Sequence, residues 1–199
     1  MTAFFNYNEI VYYIYDPLKL MISVMKKNIL LLFVLFFNCS SNEIVHAQPN
    51  NESFTIYLVR HSEKDLSSKN YTDLPLSKCG EIRSDLLSKF FSDINLDVIY
   101  STNYTRTINT ALPTANSKKL KITKYSTENL KDFSHNLLDL KQNALVVGHS
   151  NTTGILAGLL TESNIGVFDE NEYDRIYQVI VDDNGTKLQL FHSMFDCKQ

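Results

Sequence analysis

Apolar residues in this chain fall into short unbroken blocks, separated by stretches where they recur every three or four positions. Residues 54–59, Phe-Thr-Ile-Tyr-Leu-Val, are β-branched and aromatic almost throughout, the pattern of a buried strand. Residues 97–100, 120–123 and 143–148 read as three more strands. Between the blocks the period lengthens. Ile82, Leu86, Leu87, Phe90 and Phe91 sit at helical spacing after Ser77, a good N-cap. A second helix starts at Tyr104 and is expected to end near Pro113, since proline lacks the N–H a helix interior needs. Residues 128–142 read as a third, with Leu130, Phe133, Leu137, Leu138 and Leu140 inward, and 152–160 as a fourth. Residues 176–181 and 187–191 read as strands joined through Asp182-Asp183-Asn184-Gly185, where Asn-Gly is the hairpin signal. Strand–helix–strand crossovers are right-handed. The predicted fold class is α/β: a doubly wound, mostly parallel sheet with helices on both faces and a C-terminal β-hairpin.

The N-terminal pattern is different. Residues 29–37 form an unbroken apolar run behind Met25-Lys26-Lys27. At roughly nine residues the run is too short for a bilayer, which needs about 20, and it reads as the core of an export signal. Two processing readings stay open. Val45-His46-Ala47 before Gln48 fits a small-residue cleavage site. Phe36-Phe37-Asn38-Cys39 is a loose lipoprotein box, with Cys39 as the lipidated residue and a membrane anchor; Cys39 follows the apolar run directly, which favours it. Residues 1–24, rich in Tyr, Phe and Asn, are unlike a signal and read as an extension ahead of a true start at Met25. The expected division is therefore 1–24 extension, 25–47 signal and tether, and 48–199 folded domain. The expected location is outside the cytoplasm, either membrane-anchored or periplasmic or secreted.

Composition narrows the partners. The chain has 199 residues, 44% of them hydrophobic, and a formal net charge of -3. That is enough for a sizeable core, and no basic run or arginine-rich patch suggests nucleic acid. No His/Cys spacing suggests a metal, so neither metal nor cofactor is expected. Cys79 and Cys197 remain in the domain, and export would permit a disulfide between them; the sequence does not show whether they approach.

The candidate chemistry lies at three strand ends. Residues 54–59 stop at Arg60-His61, residues 143–148 stop at His149, and Ser101 leads into a helix with Arg106 in its first turns. If the strands are neighbours in a parallel sheet, two His and two Arg converge on one crevice. This ordered set resembles the histidine phosphatase superfamily, also called the phosphoglycerate-mutase-like family. The residues that carry the resemblance are Arg60-His61, the helix start from Ser101 to Ala111, His149, and Leu74-Pro75-Leu76-Ser77 with Gly80. Ser62 departs from the pattern, since many members have Gly after the first His.

The resemblance implies a small phosphorylated substrate, with His61 as nucleophile and His149 as a second donor to the transferring phosphoryl. Arg60 and Arg106 would grip its oxygens bidentately, which lysine could not do with the same geometry. The proton donor to the leaving oxygen is either Glu63, two residues after the nucleophile, or Glu128; the Gly-containing acidic loop of many members is absent. Two function classes follow: an exported phosphatase acting on phosphomonoesters or phosphohistidine, and a catalytically silent phosphate-binding module. A mutase-like phosphotransferase is a third, disfavoured by the shortness of the domain.

Overall fold

The computed structural model describes residues 53–197, together with Lys19 and Met21. The chain divides after residue 48, and residues 49–199 form the second unit. The expected signal, its cleavage sites, Cys39 and the start at Met25 lie outside the described residues.

The second unit begins with strand β1 (Phe54–Arg60), which runs one residue past the apolar block to take in Arg60. There follow α1 (Lys78–Phe90), β2 (Val98–Ser101), α2 (Thr105–Lys118), β3 (Ile122–Lys124), α3 (Leu130–Leu140), β4 (Ala144–Gly148), α4 (Thr153–Thr161), β5 (Arg175–Asp182) and β6 (Gly185–His192). The six strands form one sheet in the order β3-β2-β4-β1-β5-β6. Strands β1, β4, β2 and β3 pair in parallel, β5 is antiparallel to β1, and β6 is antiparallel to β5.

Side chains of β1 alternate between two cores. Phe54, Ile56 and Leu58, with Ala144 and Val146 of β4, pack against Leu137 of α3 and Leu156, Ala157 and Leu160 of α4. Tyr57 and Val59, with Leu145 and Val147, pack against Leu87, Phe91, Ala111 and Ala115 on the α1/α2 side. Helices thus cover both faces, as a doubly wound sheet requires. Each large aliphatic side chain fully buried here contributes about 1.5–3 kcal/mol, so the central strands are the most firmly held part of the domain.

Four local expectations change. The buried stripe of α1 is Cys79, Gly80, Arg83, Ser84 and Leu87, whereas Ile82 and Phe90 are exposed; the reason lies in an ion pair described below. Helix α2 does not stop at Pro113 but continues to Lys118, ending at Lys119 in the left-handed conformation. Proline there removes one helical hydrogen bond, a cost of about 3 kcal/mol, and burial of Ala111, Thr114 and Ala115 on either side of it offsets the loss. Helix α3 starts at Leu130, with Asn129 as the cap accepting from the Asp132 amide, so Glu128 sits outside it and exposed; Leu140 also points outward. Strand β3 is shifted to residues 122–124. In the hairpin, Asp182 pairs with Gly185, so Asp183 and Asn184 fill the turn and Gly185 takes the positive φ of 115°, a conformation glycine adopts without strain.

Candidate active site

The parallel pairing of β1 with β4 brings their C-terminal ends side by side, Arg60 opposite Gly148. The His61 amide donates to the Gly148 carbonyl at 2.9 Å, which carries the pairing one residue beyond the strands. His61 and His149 then meet edge to face, ring centroids 5.4 Å apart at 67°. Arg106, in the first turn of α2, joins them from the other side of β4. Arg60, His61, Arg106 and His149 line one cavity of about 320 Å³, together with Lys64, Tyr104, Thr127, Ser150, Asn151, Thr152 and Glu170. A larger concavity of about 450 Å³, lined by α3 and α4 residues, contains none of these groups.

The two guanidiniums are held from behind. Arg60 is almost fully buried. Its Nη1 donates to the backbone carbonyls of Glu170 (2.5 Å) and Glu172 (3.0 Å), with Asp169 at 3.4 Å, and its plane lies 4.1 Å from the Tyr173 ring. Burial lowers its pKa from the usual arginine value, with Tyr173 opposing. Arg106 stacks on Tyr104 at 4.3 Å, and its Nη1 lies 3.7 Å from Asp73. Asp73 also accepts from the Thr105 amide at 2.9 Å and the Thr105 hydroxyl at 2.6 Å. It therefore caps α2, whose own N-cap residue, Tyr104, supplies no side-chain acceptor. In both arginines the buried Nε has no hydrogen-bond partner. A buried donor left unpaired is costly, and an arriving oxyanion would satisfy both.

The tautomer of His61 follows from one contact. Its Nδ1 lies 2.7 Å from the Ser62 carbonyl oxygen. A carbonyl can only accept, so Nδ1 carries the proton and Nε2 keeps its lone pair. Burial, seconded by the charges of Arg60, His149 and Arg106 and opposed by the Ser62 hydrogen bond, pushes the His61 pKa down to about 2. The ring is therefore neutral at any physiological pH. For His149, burial first and then Arg106, Arg60 and Lys64 bring the pKa down to about 4. Its Nε2 lies 3.0 Å from the Thr102 hydroxyl.

Two expectations are corrected. Glu63 does not line the cavity: both its carboxylate oxygens are taken by buried Arg83, at 2.6 Å from Nη2 and 3.0 Å from Nε. That pairing is why α1 turns Arg83 inward. Glu128 is exposed and absent from the cavity lining, where the neighbouring Thr127 appears instead. At α4, the Thr152 and Thr153 amides donate back to the His149 carbonyl at 3.1 and 3.0 Å, so these two do not point into the crevice as a simple helix N-terminus would. The carboxylate residue that does line the cavity, Glu170, was missed, as was the 169–173 loop that holds Arg60. Their only sequence signal was an acidic run, Asp169-Glu170-Asn171-Glu172, indistinguishable from a solvated loop. Among the described residues no group of three or more His, Cys, Asp or Glu could hold a metal ion.

The model of the histidine phosphatase superfamily (branch 1) matches residues 56–139, a segment that takes in Arg60, His61 and Arg106 and stops short of His149. No curated protein matches the chain. Among solved structures, the protein histidine phosphatase SixA complexed with tungstate is similar at 15% identity and a TM-score of 0.57, covering 70% of this chain and 97% of that one. Phosphoserine phosphatase from Entamoeba histolytica, in complex with 3-phosphoglyceric acid, is similar at 17% identity and a TM-score of 0.55, with coverages of 71% and 98%. The α-ribazole phosphatase from Shigella flexneri gives 14%, 0.58, 70% and 96%.

Proposed function

Because the chain belongs to the histidine phosphatase superfamily, we propose that it hydrolyses small phosphomonoesters, or phosphohistidine, through a phosphohistidine intermediate on His61. The observation that carries this reading is the pair of buried, unpartnered guanidinium Nε donors beside an imidazole whose Nε2 is unprotonated. A phosphate monoester brings about two negative charges and several acceptor oxygens, which two arginines match. The His61 Nε2 lone pair attacks phosphorus and the ester P–O bond breaks. Water then attacks phosphorus and the P–N bond breaks; the water's proton goes to the carboxylate that protonated the leaving oxygen, phosphate is released and the ring is neutral again.

His149 meets the charge that builds on the transferring phosphoryl. Its neutral form is set by Thr102; a dianion close to the ring favours the imidazolium, which offers a second N–H. The leaving oxygen needs a proton; Glu63 is taken by Arg83, and neither it nor Glu128 lines the cavity. Glu170 is the lining carboxylate, and we assign it that role. Arginine and histidine supply the positive charge, so the reaction is proposed to run without metal.

The domain is also proposed to work outside the cytoplasm, reached by the signal at residues 25–47, with lipidation of Cys39 as the anchor. The Cys79–Cys197 disulfide, with Cα atoms 6.0 Å apart, supports an oxidising location. Turnover of a panel of phosphomonoesters and a phosphohistidine peptide by the purified protein, with EDTA present, tests the reading. Hydrolysis of at least one with stoichiometric acid-labile, base-stable phosphate trapped on the protein is expected. Phosphate binding without turnover or trapped label would leave a silent binding module instead.

A further inference from the structure

The carbonyl that fixes the His61 tautomer belongs to the peptide between Ser62 and Glu63, so whatever holds that peptide sets the nucleophile. Its surroundings are unusually tied down. The Ser62 amide donates to Thr110 Oγ1 at 2.9 Å, and the Ser62 hydroxyl meets Ser84 Oγ at 3.1 Å. The Ser77 amide donates to the Glu63 carbonyl at 2.9 Å. Helix α1 presses so close that a Cβ on Gly80 would lie 2.3 Å from that same carbonyl oxygen. The Glu63 carboxylate is locked on Arg83.

Arg83 is in turn held by the C-terminal tail. Its Nη1 donates to Ser193 Oγ at 2.8 Å, and its guanidinium lies 5.0 Å from the centre of the Phe195 ring. Two residues later the tail is bonded to α1 itself through the Cys79–Cys197 disulfide. Cys79 and Arg83 are one helical turn apart on the buried face of α1, so the disulfide closes the tail directly over the arginine. A buried arginine–carboxylate pair is a poor source of net stability but a strong constraint on geometry.

We propose that Arg83, clamped by the disulfide-tethered tail, is a positioning residue for His61: through Glu63 it holds the Ser62 carbonyl that keeps the proton on Nδ1 and the lone pair on Nε2. The nucleophile is thereby coupled to the oxidation state of Cys79 and Cys197. This rests on the phosphatase reading only for its kinetic readout; the tautomer can be read without turnover.

The test compares the oxidised full chain with Arg83→Gln, Arg83→Lys, Phe195→Ala and Cys197→Ser variants, and with the wild type after reduction by dithiothreitol, which leaves as its cyclic disulfide and gives two protein thiols. Imidazole ¹⁵N shifts report the His61 tautomer, and p-nitrophenyl phosphate kinetics report kcat and KM. In the oxidised wild type His61 is expected as a single Nδ1–H form. Arg83→Gln is expected to give mixed tautomers and a fall in kcat of about tenfold with KM little changed, by analogy with the groups that orient metal-binding histidines. Arg83→Lys recovers part of this. Reduction, Phe195→Ala and Cys197→Ser, which spare Arg83 itself, are expected to lower kcat about threefold, as small misplacements do. A single Nδ1–H form in every folded variant, with kcat unchanged and only thermal stability lowered, overturns the proposal. If the oxidised wild type shows no turnover at all, the phosphatase reading falls, and the tautomer shifts alone decide the positioning role.

Discussion

His149 Nε2 lies 3.0 Å from the Thr102 hydroxyl, which lies 2.9 Å from the Thr107 hydroxyl. The direction of this chain can be worked out. Thr107 Oγ1 has carbonyls of Thr102 and Tyr104 within 2.9 Å, and these accept its single proton. Its oxygen must therefore accept from Thr102, whose oxygen in turn accepts from His149 Nε2–H. Two threonines thus select the neutral tautomer of His149. Thr102→Val keeps the shape and removes the acceptor. It is expected to lower kcat about tenfold with little change in phosphate affinity, consistent with loss of roughly one charge-assisted hydrogen bond's worth of orientation. Phosphate titration alongside steady-state kinetics checks it; equal losses in both would place Thr102 in ground-state binding instead.

The assignment of Glu170 makes a prediction about leaving groups. A proton donor matters for an alkoxide, which leaves poorly, and little for p-nitrophenolate, which leaves without help. Glu170→Gln should therefore cut turnover of alkyl phosphates by about a hundredfold while sparing p-nitrophenyl phosphate within about threefold. Uniform loss across both would mean that the Glu170 carboxylate acts through its charge beside Arg60 and not as a proton donor.

Much of the fold could be read from the sequence because period and burial agree in β1 and β4, whose blocks are apolar at almost every position. The candidate set was legible from three strand ends taken together: Arg-His after one buried strand can be structural, but two His and two Arg at three such ends point to one crevice. What failed was local. Of the apolar set on α1, Leu87 and Phe91 are buried as read but Ile82 and Phe90 are exposed, since an inward arginine is justified only by a carboxylate far off in sequence. Glu63 looked available because Arg83 could not be seen as its partner. Pro113 looked like a stop because the packing that carries α2 past it is tertiary. Cys79 and Cys197, 118 residues apart, gave no local sign of meeting.

Stability should depend on pH through the site. The folded-state pKa of His61, about 2, is far below the ordinary histidine value. Between pH 7 and 5 the unfolded chain takes up a proton there that the folded chain does not, so acidification favours unfolding. For an unfolded value near 6.5 the loss is about 2 kcal/mol over that interval. His149, brought down to about 4, also lies below this interval and adds to the loss in the same direction and to a similar extent. Urea midpoints at the two pH values should show the drop, and His61→Asn should remove the His61 share of it. An unchanged pH slope in His61→Asn would mean that the folded ring titrates normally.

Asp73 joins two functions that substitution can separate. Its carboxylate caps α2 through the Thr105 amide and hydroxyl, and it lies 3.7 Å from Arg106 Nη1. Asn keeps an acceptor for the Thr105 amide and removes the charge; Ala removes both. Asp73→Ala is expected to cost about 1–2 kcal/mol of stability, the usual loss of an N-cap, and Asp73→Asn only a few tenths. Binding should move the other way for Asn. Without the carboxylate, the field of Arg106 on the cavity is less offset, so phosphate should bind more tightly at low salt, with the gain fading as salt screens it. Asp73→Ala should instead bind phosphate more weakly, because the helix turn that carries Arg106 frays. Calorimetric phosphate titration at two salt concentrations, with urea melts of both variants, checks the pair. Weaker binding in Asp73→Asn with its stability intact would show that the carboxylate orients Arg106 rather than opposing the anion.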